Sequence, residues 1–227
     1  MIIRKIIHLL FISTQVRSFT SVRKDNIKRD MSLRGIPFND DSSKSKSEVK
    51  MERTNHEPLT IKFYGAVTTE SCMALSNTIE TLNMKSIEME MKYDFRVPIK
   101  LHLQSLGGEL MPAFYVCDLI KRMDTPVHIF IDGYVASAAS LIAVCGDKRY
   151  MTKHSSILIH QLTSSTSGKF AEMRDGMSNL HLFMEYLKDI YLENTNIEES
   201  KLEGLFESDV WMSADKCLLL GLIDEIL

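Results

Sequence analysis

An α/β fold built on a mostly parallel sheet with flanking helices is the architecture this sequence predicts, and three observations carry it. Short apolar runs of strand length recur, LTIKFY at 59–64, PIKLHL at 98–103 and VHIFID at 127–132. Between them lie stretches with apolar residues at the 3–4 spacing of a helix face. Each strand-like run is followed by glycine: Gly65, Gly107-Gly108 and Gly133. Strands that alternate with helices in this way join in parallel through right-handed crossovers.

The elements follow in order. Leu59–Tyr64 is the first strand. Thr68–Leu82 is a helix with Cys72, Leu75, Ile79 and Leu82 on one stripe, and the charged, Met-containing stretch Ser86–Arg96 extends it or forms an insertion. Pro98–Leu103 is the next strand, and the turn at 104–109 leads to a helix running to about Arg122. Pro112 suits its first turn, and Leu110, Phe114, Cys117 and Ile120 share one side. Val127–Asp132 reads as a buried strand, with a turn expected at Gly133-Tyr134 and a helix opening on Ala136-Ser137-Ala138-Ala139-Ser140. Arg149–Thr152 and Ser156–His160 read as short strands. Residues 162–169 are rich in Ser, Thr and Gly. Phe170–Leu192 has the strongest helical pattern, with Phe170, Met173, Met177, Leu180, Met184, Leu187 and Tyr191 at alternating 3 and 4. Such a stripe packs on its own domain or zips against a neighbouring subunit. Asn196 or Thr195 is expected to end that helix and cap a shorter one, Ile197–Phe206, and Ser213 to cap a last helix that Gly221 ends. Leu222–Leu227 closes as a strand.

Composition bounds the function. The chain has 227 residues, 44 % of them hydrophobic, which suits one ordinary globular domain, and its net charge of −3 gives no electrostatic case for nucleic acid as a partner. The four cysteines show no CxxC and no metal-ligand spacing, and they read as reduced, buried thiols. No apolar run approaches the ~18 residues that span a bilayer. Residues 1–24 are basic, apolar and hydroxylated, with no acid before Asp25, which reads as a transit peptide for the mitochondrial matrix. A plastid or cytoplasmic address is the alternative. Residues 25–57 are polar and charged, a linker or mobile arm, and residues 58–227 form the folded body.

The strand-to-helix junction is one of several pieces that can be tested against the needs of nucleophilic chemistry. A hydroxyl at a helix N-terminus meets free backbone N–H groups and the positive end of the dipole. It becomes a useful nucleophile beside a histidine base that a carboxylate orients. Ser137 and Ser140 both stand at this junction, and Ser137 is the one at the helix start. His160 ends an apolar run, whereas His102 and His128 lie within strands, His154 in a turn and His181 in the long helix. Asp209 lies between two helices and competes with Asp215 and Asp224. Gly107-Gly108 is a turn after a strand, where a missing side chain lets a backbone N–H meet a ligand. No GxxxxGK[ST] phosphate loop is present.

Five motifs stand in register: Ser105-Leu106-Gly107-Gly108, Gly133-Tyr134-Val135-Ala136-Ser137-Ala138, Ile159-His160-Gln161, Asp209 followed by Trp211-Met212-Ser213-Ala214, and Gly221-Leu222-Ile223-Asp224. Together the body resembles the proteolytic subunit of the Clp protease, a ClpP/crotonase-like α/β fold with a protruding handle helix. The resemblance implies Ser137 as nucleophile, His160 as general base and then acid, and Asp209 as the group that orients the imidazole. It implies the backbone N–H groups of Gly108 and Ala138 as the oxyanion hole, and Phe170–Leu192 with 162–169 as the handle. It implies a serine endopeptidase that cleaves unfolded polypeptides inside a chamber of heptameric rings stacked in pairs. An AAA+ unfoldase that spends ATP would feed it, and this chain would bind no cofactor or metal itself. The alternatives are a catalytically silent ring subunit and a crotonase-fold acyl-CoA enzyme. Leu106 and Leu162 stand where the family usually has proline, and Ser208 and Val210 where it has arginines beside the aspartate. The family's amphipathic helix before the first strand has no counterpart in 40–58.

Overall fold

The computed structural model describes residues 59–227. The expected leader 1–24 and the arm 25–57 lie outside the described residues. The elements run β1 (Thr60–Tyr64), α1 (Thr69–Tyr93), β2 (Ile99–Ser105), α2 (Leu110–Arg122), β3 (Val127–Ala136), α3 (Ala138–Val144), β4 (Lys148–Met151), β5 (Ser156–Leu158), α4 (Phe170–Asn194), α5 (Glu199–Phe206), β6 (Met212–Ser213), α6 (Ala214–Leu219) and β7 (Glu225–Ile226).

The sheet path is β1-β2-β3-β4-β7, with every pair parallel. β5 adds in parallel to β3, and β6 pairs β5 antiparallel. Alternate residues divide the two faces. Ile61, Phe63, Ile99, Leu101, Leu103, Val127, Ile129 and Ile131 are buried and join the core with α1, α2 and α3. On the other face His102, Phe130 and Tyr150 stack across three strands, with ring centroids 4.8 and 4.7 Å apart. Asp132 accepts there from Tyr64 Oη at 2.6 Å and pairs with His102 Nδ1 at 2.8 Å. Burial pushes the Asp132 carboxyl up, but these two hydrogen bonds outweigh it and hold it below the usual range. His102 is thus structural, as its place within a strand suggested.

Several expectations need correction. No turn breaks the chain at Gly133-Tyr134. Gly133 adopts φ +85° and bends β3 without ending it. The bend lets one strand serve two neighbours, β4 along 128–131 and β5 along 134–136. Of the two readings of Ser86–Arg96 the helix extension is the one found, since α1 runs on to Tyr93, where Asp94 closes it in the left-handed conformation. The buried side of α2 is Ala113, Val116, Cys117, Leu119 and Ile120, while Leu110 and Phe114 are only partly buried. β5 stops at Leu158, so His160 lies past the strand. The C-terminal strand is limited to Glu225–Ile226. Thr195 does end α4, its hydroxyl donating to Tyr191 O at 2.6 Å, but it does not cap α5, which begins at Glu199 behind Glu198. Ser213 does hold the N-cap position of α6, although its side chain makes no cap hydrogen bond, and Gly221 follows that helix at φ +68°.

Local chemistry explains the elements nearest the site. Thr68 and Ser71 form a reciprocal capping box, Ser71 N–H to Thr68 Oγ1 at 3.1 Å and Thr68 N–H to Ser71 Oγ at 2.9 Å, which fixes where α1 starts. All seven residues of α3 are buried, six of them apolar and the seventh Ser140, so this helix serves as core. Each large side chain in it, Leu141 and Ile142 among them, contributes about 1.5–3 kcal/mol by leaving water. At the far end Arg149 ties three segments together. Its guanidinium pairs with Asp224 at 2.7 Å and donates to Gly221 O at 2.8 Å and Asn194 O at 2.6 Å.

Candidate active site

Ser137 sits where β3 hands over to α3, at the N-cap, with φ +54° and ψ −131°. A side chain with positive φ is strained by roughly 1–3 kcal/mol and persists only where its surroundings hold it. Two anchors do so. Ser137 N–H donates to Leu158 O at 3.1 Å. Ser137 O accepts from Ser140 N–H at 2.9 Å and from Ser140 Oγ at 2.6 Å. Ser140 Oγ also bonds Tyr191 Oη at 2.6 Å, and because its proton goes to Ser137 O, Tyr191 is the donor in that pair. Both Ser140 and Tyr191 are fully buried, and burial raises the Tyr191 phenol well above its ordinary range. Ser140 is therefore a brace, and Ser137, half-buried and with no side-chain hydrogen bond among the described residues, is the hydroxyl left available.

The glycine turn is pressed against this serine. Gly107 has φ +92°, and a Cβ there would stand 2.7 Å from Ser137 Cβ and 3.0 Å from Ala138 N. At Gly108 a Cβ would stand 2.1 Å from Val67 O. Only glycine lets the two chains approach this closely. Val67 holds the turn from behind, its N–H donating to Gly107 O at 2.9 Å and its carbonyl accepting from Glu109 N–H at 2.8 Å. The Glu109 carboxylate in turn accepts from Thr69 N–H and Oγ1 at 3.1 and 2.7 Å, which docks the start of α1 against the turn. The N–H groups of Gly108 and Ala138 make no hydrogen bond to another described residue. For Ala138 this is the ordinary orphan donor of a helix start.

Gly108, Ser137, Ala138 and His160 line a single cavity of about 880 Å³ between α1, α2 and α4. Asp209 does not line it, and among the described residues neither Asp209 nor Ser137 hydrogen-bonds His160. Register nevertheless relates histidine and aspartate. β5 and β6 pair antiparallel at Ser156↔Ser213 and Ile157↔Met212. The ladder ends there, three residues short of His160 on one segment and of Asp209 on the other. The Gln161 N–H, bonded to Phe206 O at 3.0 Å, keeps the two segments together at that end. Asp215 lies in the first turn of α6, and Asp224 is committed to Arg149.

Some residues of the site carry no local signal. Tyr191 braces Ser140 from 51 positions away. Cys72 and Ser76 line the cavity from α1, where helical spacing marks Cys72 only as core and singles out Ser76 not at all. Burial pushes the Cys72 thiol up to about 11, so it is protonated and no nucleophile near neutrality. No group of three or more His, Cys, Asp or Glu side chains poised to hold a metal ion occurs among the described residues.

The comparisons with known proteins decide the family. The Clp protease family model matches residues 55–227. The chain belongs to the Clp protease family. The ATP-dependent Clp protease proteolytic subunit 1 of Chlamydia caviae is 32 % identical over 134 residues, covering 57 % of this chain and 70 % of that protein. Proteolytic subunit 2 of Treponema denticola is 30 % identical over 131 residues, covering 57 % and 66 %. Among solved structures, a ClpP1 mutant from Listeria monocytogenes superposes with a TM-score of 0.65 at 22 % identity, over 75 % of this chain and 91 % of that one. This last likeness speaks for the fold. Family membership sets aside the acyl-CoA reading.

Proposed function

We propose that this Clp-family subunit is a serine endopeptidase whose triad is Ser137, His160 and Asp209. The observation that carries it is the meeting of a strained serine, a histidine and two unengaged backbone N–H groups at one cavity. Ser137 Oγ attacks the peptide carbonyl while His160 takes its proton. The tetrahedral oxyanion is received by the Gly108 and Ala138 N–H groups, a kind of stabilisation that is worth about 10²–10³ in kcat per donor. His160 then protonates the leaving amine, and the acyl-enzyme is hydrolysed by water activated on the same imidazole. Asp209 orients the ring when the segments that the β5–β6 register aligns close on each other. No cofactor enters these steps, and ATP is spent by a partner AAA+ unfoldase.

The same reading extends to the assembly. Heptameric rings stacked in pairs would meet through the handle α4, whose first half is uncovered: Phe170, Met173 and Met177 are 83, 42 and 46 % exposed. The basic, acid-free residues 1–24 favour the mitochondrial matrix.

Ser137→Ala tests the reading. It should reduce cleavage of unfolded substrate and of short peptides by at least ~10⁴-fold while the native mass stays the same. A fluorophosphonate probe should label Ser137 and leave buried Ser140 unmodified. Undiminished cleavage by the variant would overturn the nucleophile. Absence of cleavage by the wild-type assembly with its unfoldase would favour the silent subunit.

A further inference from the structure

Among the described residues Glu109 is the only carboxylate that lines the cavity beside Ser137, and no lysine or arginine lines it. It directly follows Gly108, so its Cα lies about 3.8 Å from that of a residue whose N–H is unengaged. Its neighbours in the lining are apolar, Met73 from α1 and Leu110 and Met111 from α2. Glu109 itself is exposed, which places the carboxylate at the rim.

Half of this carboxylate is spoken for. Oε2 accepts both bonds from Thr69, at 3.1 Å from N–H and 2.7 Å from Oγ1. Oε1 accepts none, and no lysine, arginine or histidine pairs with Glu109 among the described residues. Docking α1 against the glycine turn calls for an acceptor at this place, not for a charge. A carboxamide oxygen would take the same two bonds, and α1 already carries the acid Glu70 in its first turn. The surplus charge is felt in the cavity wall. Burial is the main cause that raises the Cys72 thiol, and the field of Glu109 pushes it the same way.

We propose that Glu109 is a specificity-determining residue that favours substrates with a lysine or arginine in one of the two positions flanking the scissile bond. The inference rests on the peptidase reading of Ser137. The aliphatic stem of such a residue lies along Met73, Leu110 and Met111, and its cationic head meets Oε1 at the rim. An exposed charge of this kind acts on encounter and on salt dependence, and its effect is a few-fold.

The test uses fluorogenic peptides that carry lysine or norleucine, which has the stem without the amine, on one side or the other of the cleaved bond. The full chain is assayed in its assembled form. At one of the two positions, Glu109→Gln should lower the lysine-to-norleucine ratio of kcat/KM by about two- to fivefold. Glu109→Asp, which keeps the charge, should restore part of it. In the wild type the ratio should shrink between 0.1 and 1 M salt, where the Debye length falls from about 10 to about 3 Å, a readout that needs no variant. Equal ratios in wild type and Glu109→Gln at both positions, or a wild-type ratio indifferent to salt, would overturn the proposal. A second arm measures binding of the same peptides to Ser137→Ala protein by calorimetry. Tighter binding of a lysine peptide, lost in Glu109→Gln/Ser137→Ala, upholds the role of Glu109 even if the wild type cleaves neither peptide, an outcome that would sink only the peptidase reading. Equal binding of lysine and norleucine peptides to Ser137→Ala overturns it.

Discussion

Replacing Gly107 by alanine places one methyl group between the glycine turn and the nucleophile. The new Cβ would lie 2.7 Å from both Ala136 O and Ser137 Cβ, and 3.0 Å from Ala138 N. Ordinary contact begins near 3.4 Å, so the turn must retreat by about 0.7 Å. The positive φ of +92° adds about 1–2 kcal/mol for any residue with a side chain. Overpacking adds about 1–3 kcal/mol more. The loss of stability is then roughly 2–5 kcal/mol. The catalytic effect has a different origin. Gly108 retreats with its neighbour and carries its N–H out of reach of the oxyanion, and losing one such donor costs about 10²–10³ in kcat. KM should change far less, because the donor acts on the transition state. Steady-state peptidase kinetics and urea unfolding read the two effects separately. Gly204→Ala is the matched control: it lies in α5 with nothing within 4 Å of an added Cβ, so it should stabilise by about 0.5–1 kcal/mol and leave kcat alone. A Gly107→Ala protein with wild-type kcat, or with an unmoved urea midpoint, would refute the reasoning.

Three further outcomes are expected. Tyr191→Phe removes only the bond donated to Ser140 and should cost about 1 kcal/mol, whereas Ser140→Ala strands a buried phenol and should cost more, about 1–3 kcal/mol; urea midpoints in the reverse order would contradict the bracing role. Burial pushes the Asp224 carboxyl up, but the Arg149 guanidinium outweighs it and holds the folded-state value below the ordinary one. Its stabilisation is thus present above pH ~4 and lost as pH falls through the lowered value, so Asp224→Asn should be less stable at pH 7 and show a shallower fall of Tm in acid; parallel Tm profiles would disprove the link. Met177→Glu, at an exposed position of the α4 stripe, should leave the protomer's unfolding unchanged and reduce assembly mass in sedimentation; an unaltered mass would show that this face is not a contact.

Periodicity found most of the fold because its signals are local. Cys72, Leu75, Ile79 and Leu82 named the buried face of α1, and all four are buried. Periodicity misjudged half of the α2 stripe, where Leu110 and Phe114 have the right spacing but Ala113 and Val116 are the residues buried beside Cys117 and Ile120. Apolar residues were available on two adjoining stripes, and only the docking angle chooses between them. Gly133 was read as a stop because glycine usually marks one, yet here it bends a strand whose pairing partners are remote in sequence. In the candidate site, Gly108, Ser137, Ala138 and His160 were legible from motifs, and they share one cavity. Asp209 is related to His160 through a two-residue ladder, a register that no local pattern reveals.

The backbone at Ser137 sets the demands of stability and reactivity against each other. At φ +54° a glycine would fit with less strain than any residue carrying a side chain, so the fold alone would favour losing the hydroxyl at the one place where the helix start can use it. The strain is absorbed by parts that touch no substrate: the Leu158 carbonyl, the Ser140 hydroxyl and, behind it, the Tyr191 phenol. A change that loosens this remote support can silence the serine without altering it, and a sequence survey that inspects only Ser137, His160 and Asp209 would score such a chain as intact.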